Sequence, residues 1–141
     1  MRKVVQGAAI VVAALLAGVA GVAGPAQAGV GKPPGPRPPA SASAAELTAK
    51  AIGDCPREYA CLWYWTYYEG TRWQGKNWNP YLPGTIKNLS ESSFNNGVNC
   101  TVHWYDGEWY GSYLFSQARG VGYPNLYDLG YANRIESMNW C

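Results

Sequence analysis

The chain is 141 residues long and carries 11 Lys or Arg against 9 Asp or Glu, a formal net charge of +2. So small an excess lacks the basic field that drives nucleic-acid or anionic-membrane binding, and neither partner is expected. Its 4 cysteines stand beside a single histidine and 20 aromatics (7 Trp, 11 Tyr, 2 Phe), a composition for a stapled aromatic core rather than a zinc site.

In chain order, residues 1–28 read as an export signal. Arg2 and Lys3 precede an uncharged apolar run, Ala8 to Ala20, and Ala26-Gln27-Ala28 offers a small-residue cleavage site. The run is too short for a bilayer span, which needs roughly 20 residues, so a secreted, extracellular product is expected. Cleavage would remove Arg2 and Lys3 and leave nine basic residues balancing nine acidic ones. Residues 29–54 then read as a Pro/Gly/Ala-rich linker without aromatics. Within it, Glu46 to Ile52 is long enough for only a helical turn or two.

Every aromatic and every cysteine lies in the 87 residues from Cys55 to Cys141. A domain this small buries little surface and benefits from covalent staples. Four cysteines in an exported chain read as two disulfides, with three connectivities open.

An internal repeat organises the domain. Trp63, Tyr68 and Gly70 recur as Trp104, Trp109 and Gly111: an aromatic, a second one five residues on, and a glycine after seven. Downstream, Asn88-Leu89-Ser90-Glu91-Ser92 recurs as Asn133-Arg134-Ile135-Glu136-Ser137. Each unit predicts a strand (Ala60 to Thr66; Thr101 to Tyr105), a folded corner where two aromatics pack, and a glycine with positive φ. Ser92 and Ser137 are placed to hydrogen-bond into those corners. Proline and glycine interrupt any helical period between them, so two four-stranded Greek-key units packed as an all-β sandwich are expected.

The doubled signature resembles the βγ-crystallin Greek key. More narrowly, CPREYACLWYWTYYEGTRW, NLSESSFNN, CTVHWYDGEWYGS and the terminal NRIESMNWC resemble an actinobacterial secreted peptidase inhibitor family, similar to the Streptomyces metalloproteinase inhibitor. The resemblance covers about Cys55 to Cys141. It implies Cys55–Cys61 and Cys100–Cys141 pairing, and a protein that binds a secreted metallo- or serine protease without being an enzyme.

Calcium is the cation such a fold implies, through a short stretch of oxygen ligands in each unit. Asn88, Glu91, Asn133 and Glu136 are the candidates, but Lys87 and Ala132 stand where oxygen ligands belong, so the sites read as degenerate: no cofactor is expected, and a calcium-binding βγ-crystallin is kept as an alternative. Catalytic signals are weaker: there is no G-x-S-x-G, no H-E-x-x-H and no phosphate-cradling loop. His103 reads as a strand surface residue, and Asp106 with Glu108 as solvated turn charges rather than a carboxylate pair.

A protease inhibitor needs a rigid scaffold presenting a preorganised loop, and residues 77–87 and 117–128 are the two candidates. The rival is a cell-wall or carbohydrate-binding module, killer-toxin-like proteins included, with Trp65, Tyr67, Trp73 and Trp78 as stacking rings. A ligand-free structural or stress-related βγ-crystallin is the third reading. A sugar platform predicts a coplanar row of exposed tryptophans; an inhibitor predicts one protruding rigid loop.

Overall fold

The computed structural model describes Lys32, Gly35 and residues 42–141. The expected signal at 1–28 lies outside the described residues. No described helix is long and apolar enough to cross a membrane.

Helix α1 (Ala44–Asp54) occupies the end of the stretch expected to be linker. Ser43 and Glu46 form a capping box: the Ser43 amide donates to Glu46 Oε2 at 2.7 Å, and the Glu46 amide donates back to Ser43 Oγ at 3.3 Å. Eleven residues are marginal for a helix in water. Tertiary contacts hold this one: Ala51 is buried, Leu47 packs on the cluster of Trp63, Tyr68 and Phe94, and Lys50 pairs with Glu69.

Seven strands follow: β1 (Ala60–Trp63), β2 (Arg72–Gly75), β3 (Ser92–Asn95), β4 (Val102–Asp106), β5 (Ser112–Gln117), β6 (Gly122–Tyr123) and β7 (Ser137–Trp140). They make two antiparallel sheets, ordered β2-β1-β3-β6 and β5-β4-β7. The second sheet has three strands instead of the expected four. Its fourth position is filled by a single bridge, Asn79 to Met138, because the chain there is pulled into a loop after one pair. Each unit thus lends its third segment to the other unit's sheet: β6 to the first, Asn79 to the second. That exchange ties the halves together by backbone hydrogen bonds as well as by core packing.

Between the sheets lies a core of Leu62, Leu82, Ile86, Val102, Trp104, Leu114, Phe115, Leu126, Ile135 and Met138. Trp104 is fully buried, and its indole N–H donates to Gln117 Oε1 at 2.8 Å, which satisfies its one polar atom. The disulfides join Cys55 to Cys61 and Cys100 to Cys141. The second fastens the last residue to the entry of β4, where the Cys141 amide also donates to Thr101 O at 3.1 Å.

The corners obey the expected logic with one shift of register. In the first unit Trp63 and Tyr68 pack edge to face with centroids 5.0 Å apart. In the second the packed pair is Tyr105 and Tyr110, 5.6 Å apart, not Trp104 and Trp109. Trp104 instead aligns with Leu62 in the core, and Trp109 stands in solvent. Strand pairing gives the reason: Tyr105 lies opposite Ser137 as Trp63 lies opposite Ser92, while Trp104–Trp109 and Tyr105–Tyr110 have the same five-residue spacing in the sequence. Backbone angles mark the true equivalence: Tyr67 and Tyr68 have φ of 57° and 62°, and Trp109 and Tyr110 have 55° and 62°. Gly107 (φ 99°) stands in the second corner where Trp65 stands in the first, whereas the expected Gly111 has φ −57° and needs no such freedom.

Candidate functional site

The expected cation ligands are engaged by protein groups. Glu91, 3% exposed, takes the Tyr127 hydroxyl at 2.9 Å, the Thr66 amide at 3.2 Å and the ammonium of Lys32 at 3.1 Å. Asn133 donates to the Tyr127 hydroxyl at 2.9 Å, and Asn88 to Glu136 Oε1 at 2.6 Å. Lys87 donates to Glu108 at 2.8 Å, and the charges of Glu108 and then Glu136 hold its pKa above the ordinary lysine value. An ammonium therefore stands beside each carboxylate that a calcium ion would need, and the donor set does not fit a hard dication. Among the described residues no three His, Cys, Asp or Glu side chains gather into a metal cluster.

The catalytic candidates are likewise accounted for. Asp106 accepts from Arg134 at 2.9 and 3.0 Å while Glu108 accepts from Lys87, so the two turn carboxylates are separate ion pairs. His103 faces Ser116 across β4 and β5, with Nδ1 2.7 Å from the serine hydroxyl, which also meets the Tyr113 hydroxyl at 2.7 Å. That contact lies on an exposed sheet surface, where a nucleophile has no enclosed, water-excluding environment. An open cleft of about 470 Å³ lined by Glu58, Lys76, Asn77, Val98 and Trp140 holds one ion pair, Lys76–Glu58 at 3.8 Å, and no acid–base constellation.

The two candidate loops differ in what they expose. Segment 77–87 is fixed along its length. Asn79 exchanges two hydrogen bonds with Met138, at 2.9 and 3.0 Å, the Leu82 amide donates to Glu136 O at 2.8 Å, and the Lys87 amide to Pro83 O at 2.9 Å. Just beyond it, the Asn88 amide reaches Ile135 O at 3.0 Å. Leu82 and Ile86 are driven into the core as anchors. Ahead of those anchors the chain turns outward, so Trp78 is 72% and Tyr81 59% exposed. Trp109 joins them: its amide donates to Pro80 O at 2.6 Å, and its ring, 69% exposed, lies 6.1 Å from Tyr81 at 57°.

Segment 117–128 is also braced, by Gly120 donating to Asn95 O and Gln117 Nε2 donating to Val121 O. Its exposed ring, Tyr127, has its hydroxyl tied back to Glu91 and Asn133. Of the four rings expected to stack on sugars, Trp65, Tyr67 and Trp73 are half-buried and only Trp78 stands clear. The pair formed by Tyr81 and Trp109 is tilted rather than coplanar. The sequence pattern places Trp109 in the corner; because Tyr110 takes that place, Trp109 becomes a surface ring.

Residues 48–116 match the model of peptidase inhibitor family I36. Over those residues the chain is similar to that family. No curated protein sequence matches the chain. Solved structures agree on the fold. A domain described in connection with the evolution of the eye-lens βγ-crystallin fold superposes with a TM-score of 0.57 at 13% identity, over 64% of this chain and 92% of that one. A βγ-crystallin from an archaeon gives 0.52 at 15%, over 61% and 100%, and one from Ciona intestinalis gives 0.52 at 15%, over 59% and 99%. At these identities the likeness establishes architecture alone. The matched segment thus lies within a βγ-crystallin sandwich, and the matched residues include all of segment 77–87 together with Trp109. Its two disulfides suit an oxidising, extracellular setting.

Proposed function

We propose that the domain is a secreted, non-catalytic inhibitor of an extracellular metallo- or serine protease, and that it docks through Trp78 and Tyr81 of segment 77–87 with Trp109 beside them. The observation that carries this reading is a loop whose backbone is hydrogen-bonded to Met138 at Asn79, to Glu136 at Leu82 and to itself at Lys87, while its aromatic side chains face solvent. A loop already held in one conformation loses little entropy on docking. Exposed Trp and Tyr are the residue types that dominate binding energy at protein interfaces. Unlike Tyr127, these rings carry no competing internal hydrogen bond among the described residues.

The test is a titration of the oxidised protein against a thermolysin-like metalloprotease and a subtilisin-like serine protease, with chitin and peptidoglycan pull-downs alongside. Stoichiometric loss of one enzyme's activity, with the domain left uncut, is expected. Retention on a polysaccharide without inhibition of either enzyme would move the function to wall binding, for which the exposed Trp78 and Trp109 give the specific support.

A further inference from the structure

Lys32 sits far from every other element it touches in sequence, yet its ammonium is seated in a formed cradle. Its hydrogen-bond acceptors are Tyr64 O, Leu89 O and the Glu91 carboxylate, three acceptors for three N–H donors. The Tyr64 ring centroid lies 3.6 Å from the nitrogen and the Trp65 centroid 4.5 Å. These two rings stand at 86° to each other, so they form two perpendicular walls that suit a compact cation. The lysine side chain is 9% exposed and that of Glu91 only 4%. Gly35 lies flat on Trp65, where a Cβ would come within 2.8 Å of the indole, so the backbone at Gly35 follows that ring closely.

Glu91 explains why the cradle needs a cation. Its remaining partners, the Tyr127 hydroxyl and the Thr66 amide, are neutral. A carboxylate taken this far from water is costly unless an opposite charge accompanies it. The equivalent carboxylate of the second unit, Glu136, is more exposed and meets Asn88 and the nearby Lys87 instead. Only the first unit draws its cation from outside the sandwich.

We propose that Tyr64 O, Leu89 O, Glu91 and the Tyr64 and Trp65 rings form a binding site for a primary alkylammonium, a lysine side chain in chemical terms, and that Lys32 fills it in cis as a detachable plug. The plug meets Glu91, which also takes the Tyr127 hydroxyl of the 117–128 segment. When the N-terminal segment is cut away or displaced, the vacated cradle accepts a lysine from another chain. An arginine is a poorer occupant, because its planar fork cannot satisfy three convergent acceptors around a single nitrogen.

Two measurements on the full oxidised chain test this. The first is acetylation by a limiting amine-reactive reagent, read residue by residue by mass spectrometry. Lys32 is expected to react at least about tenfold more slowly than Lys76, whose side chain is 46% exposed. Equal rates would overturn the plug. The second is a titration with n-butylammonium chloride followed by amide and indole resonances. Lys32→Gln is expected to show saturable shifts at Thr66 and Trp65, and the unsubstituted chain to need at least about tenfold more amine because the tethered lysine competes at roughly millimolar effective concentration. No saturable shift in Lys32→Gln, equal response in both proteins, or a response to calcium chloride alone and not to the amine would each overturn the proposal.

Discussion

The hydroxyl of Ser137 accepts the amide hydrogen of Tyr110 at 3.1 Å and donates to Gly107 O at 2.8 Å. Ser92 repeats both bonds in the first unit, to the Tyr68 amide at 3.1 Å and Trp65 O at 2.7 Å. Each serine therefore satisfies two backbone groups that the corner leaves without a partner. It also holds two tyrosine-region residues at positive φ, a conformation that costs non-glycine residues free energy.

Ser92→Ala and Ser137→Ala are each expected to lower stability by about 1–3 kcal/mol, because a buried amide and carbonyl lose their partner together. Urea unfolding followed by tryptophan fluorescence measures it. The register of the second corner is checked in the same experiment. Trp104→Ala should cost about 3–5 kcal/mol as a core truncation, and Trp109→Ala no more than about 0.5 kcal/mol as a surface change. Comparable losses at the two positions would restore the unshifted register.

The two disulfides constrain loops of very different length, with sequence separations of 6 and 41. By loop-closure entropy, the Cys100–Cys141 bond is expected to contribute about 4 kcal/mol and the Cys55–Cys61 bond about 2 kcal/mol. Paired Cys→Ser variants compared by urea midpoint give that order. A larger loss on opening Cys55–Cys61 would mean that its stabilisation comes from fixing α1 against β1 rather than from closing a loop.

Alkaline pH has a specific target. Burial raises the Tyr68 phenol from its ordinary pKa of 10.0 to about 12. Its folded pKa lies above its unfolded one, so the native state holds the proton more tightly between those values. The contribution is complete below about pH 10 and is lost as pH rises through about 12, about 2 kcal/mol in all. Urea midpoints at pH 9 and pH 11 should therefore fall further for the unsubstituted protein than for Tyr68→Phe. Equal falls would show that Tyr68 does not titrate out of register with the unfolded chain.

Much of the fold is legible in the sequence because its chemistry is local and repeated. The aromatic pairs, the two serines and the cysteines each announce a corner or a staple by residue type alone. The slip from Tyr105 and Tyr110 to Trp104 and Trp109 has a physical origin: both pairs are aromatic and five residues apart, and a one-residue shift changes which strand face a side chain takes, which residue type alone does not mark. Helix α1 had a readable signal, Ser43-Ala44-Ala45-Glu46, a capping-box pattern; what the segment lacks in length is supplied by its packing on Trp63 and Tyr68. The Lys32 cradle had no such signal. Its acceptors lie 32 and 57 residues away, and two of them are backbone carbonyls, which no side-chain motif records. The docking loop was found by its prolines, but its exposed rings depend on Leu82 and Ile86 being drawn inward, a tertiary outcome.

The central claim, that binding runs through segment 77–87, is tested most directly by comparing inhibition constants for two surface variants against the protease the unsubstituted domain inhibits. The double variant Trp78→Ser, Tyr81→Ser is expected to lose about 100-fold or more in affinity with an unchanged urea midpoint, since both rings are exposed and interface aromatics carry a few kcal/mol each. The control Arg119→Ser, Leu129→Ser, on and beside the other loop, should inhibit as before. Full inhibition by the first variant with loss in the second would contradict the account and move the docking surface to the 117–128 side of the sandwich.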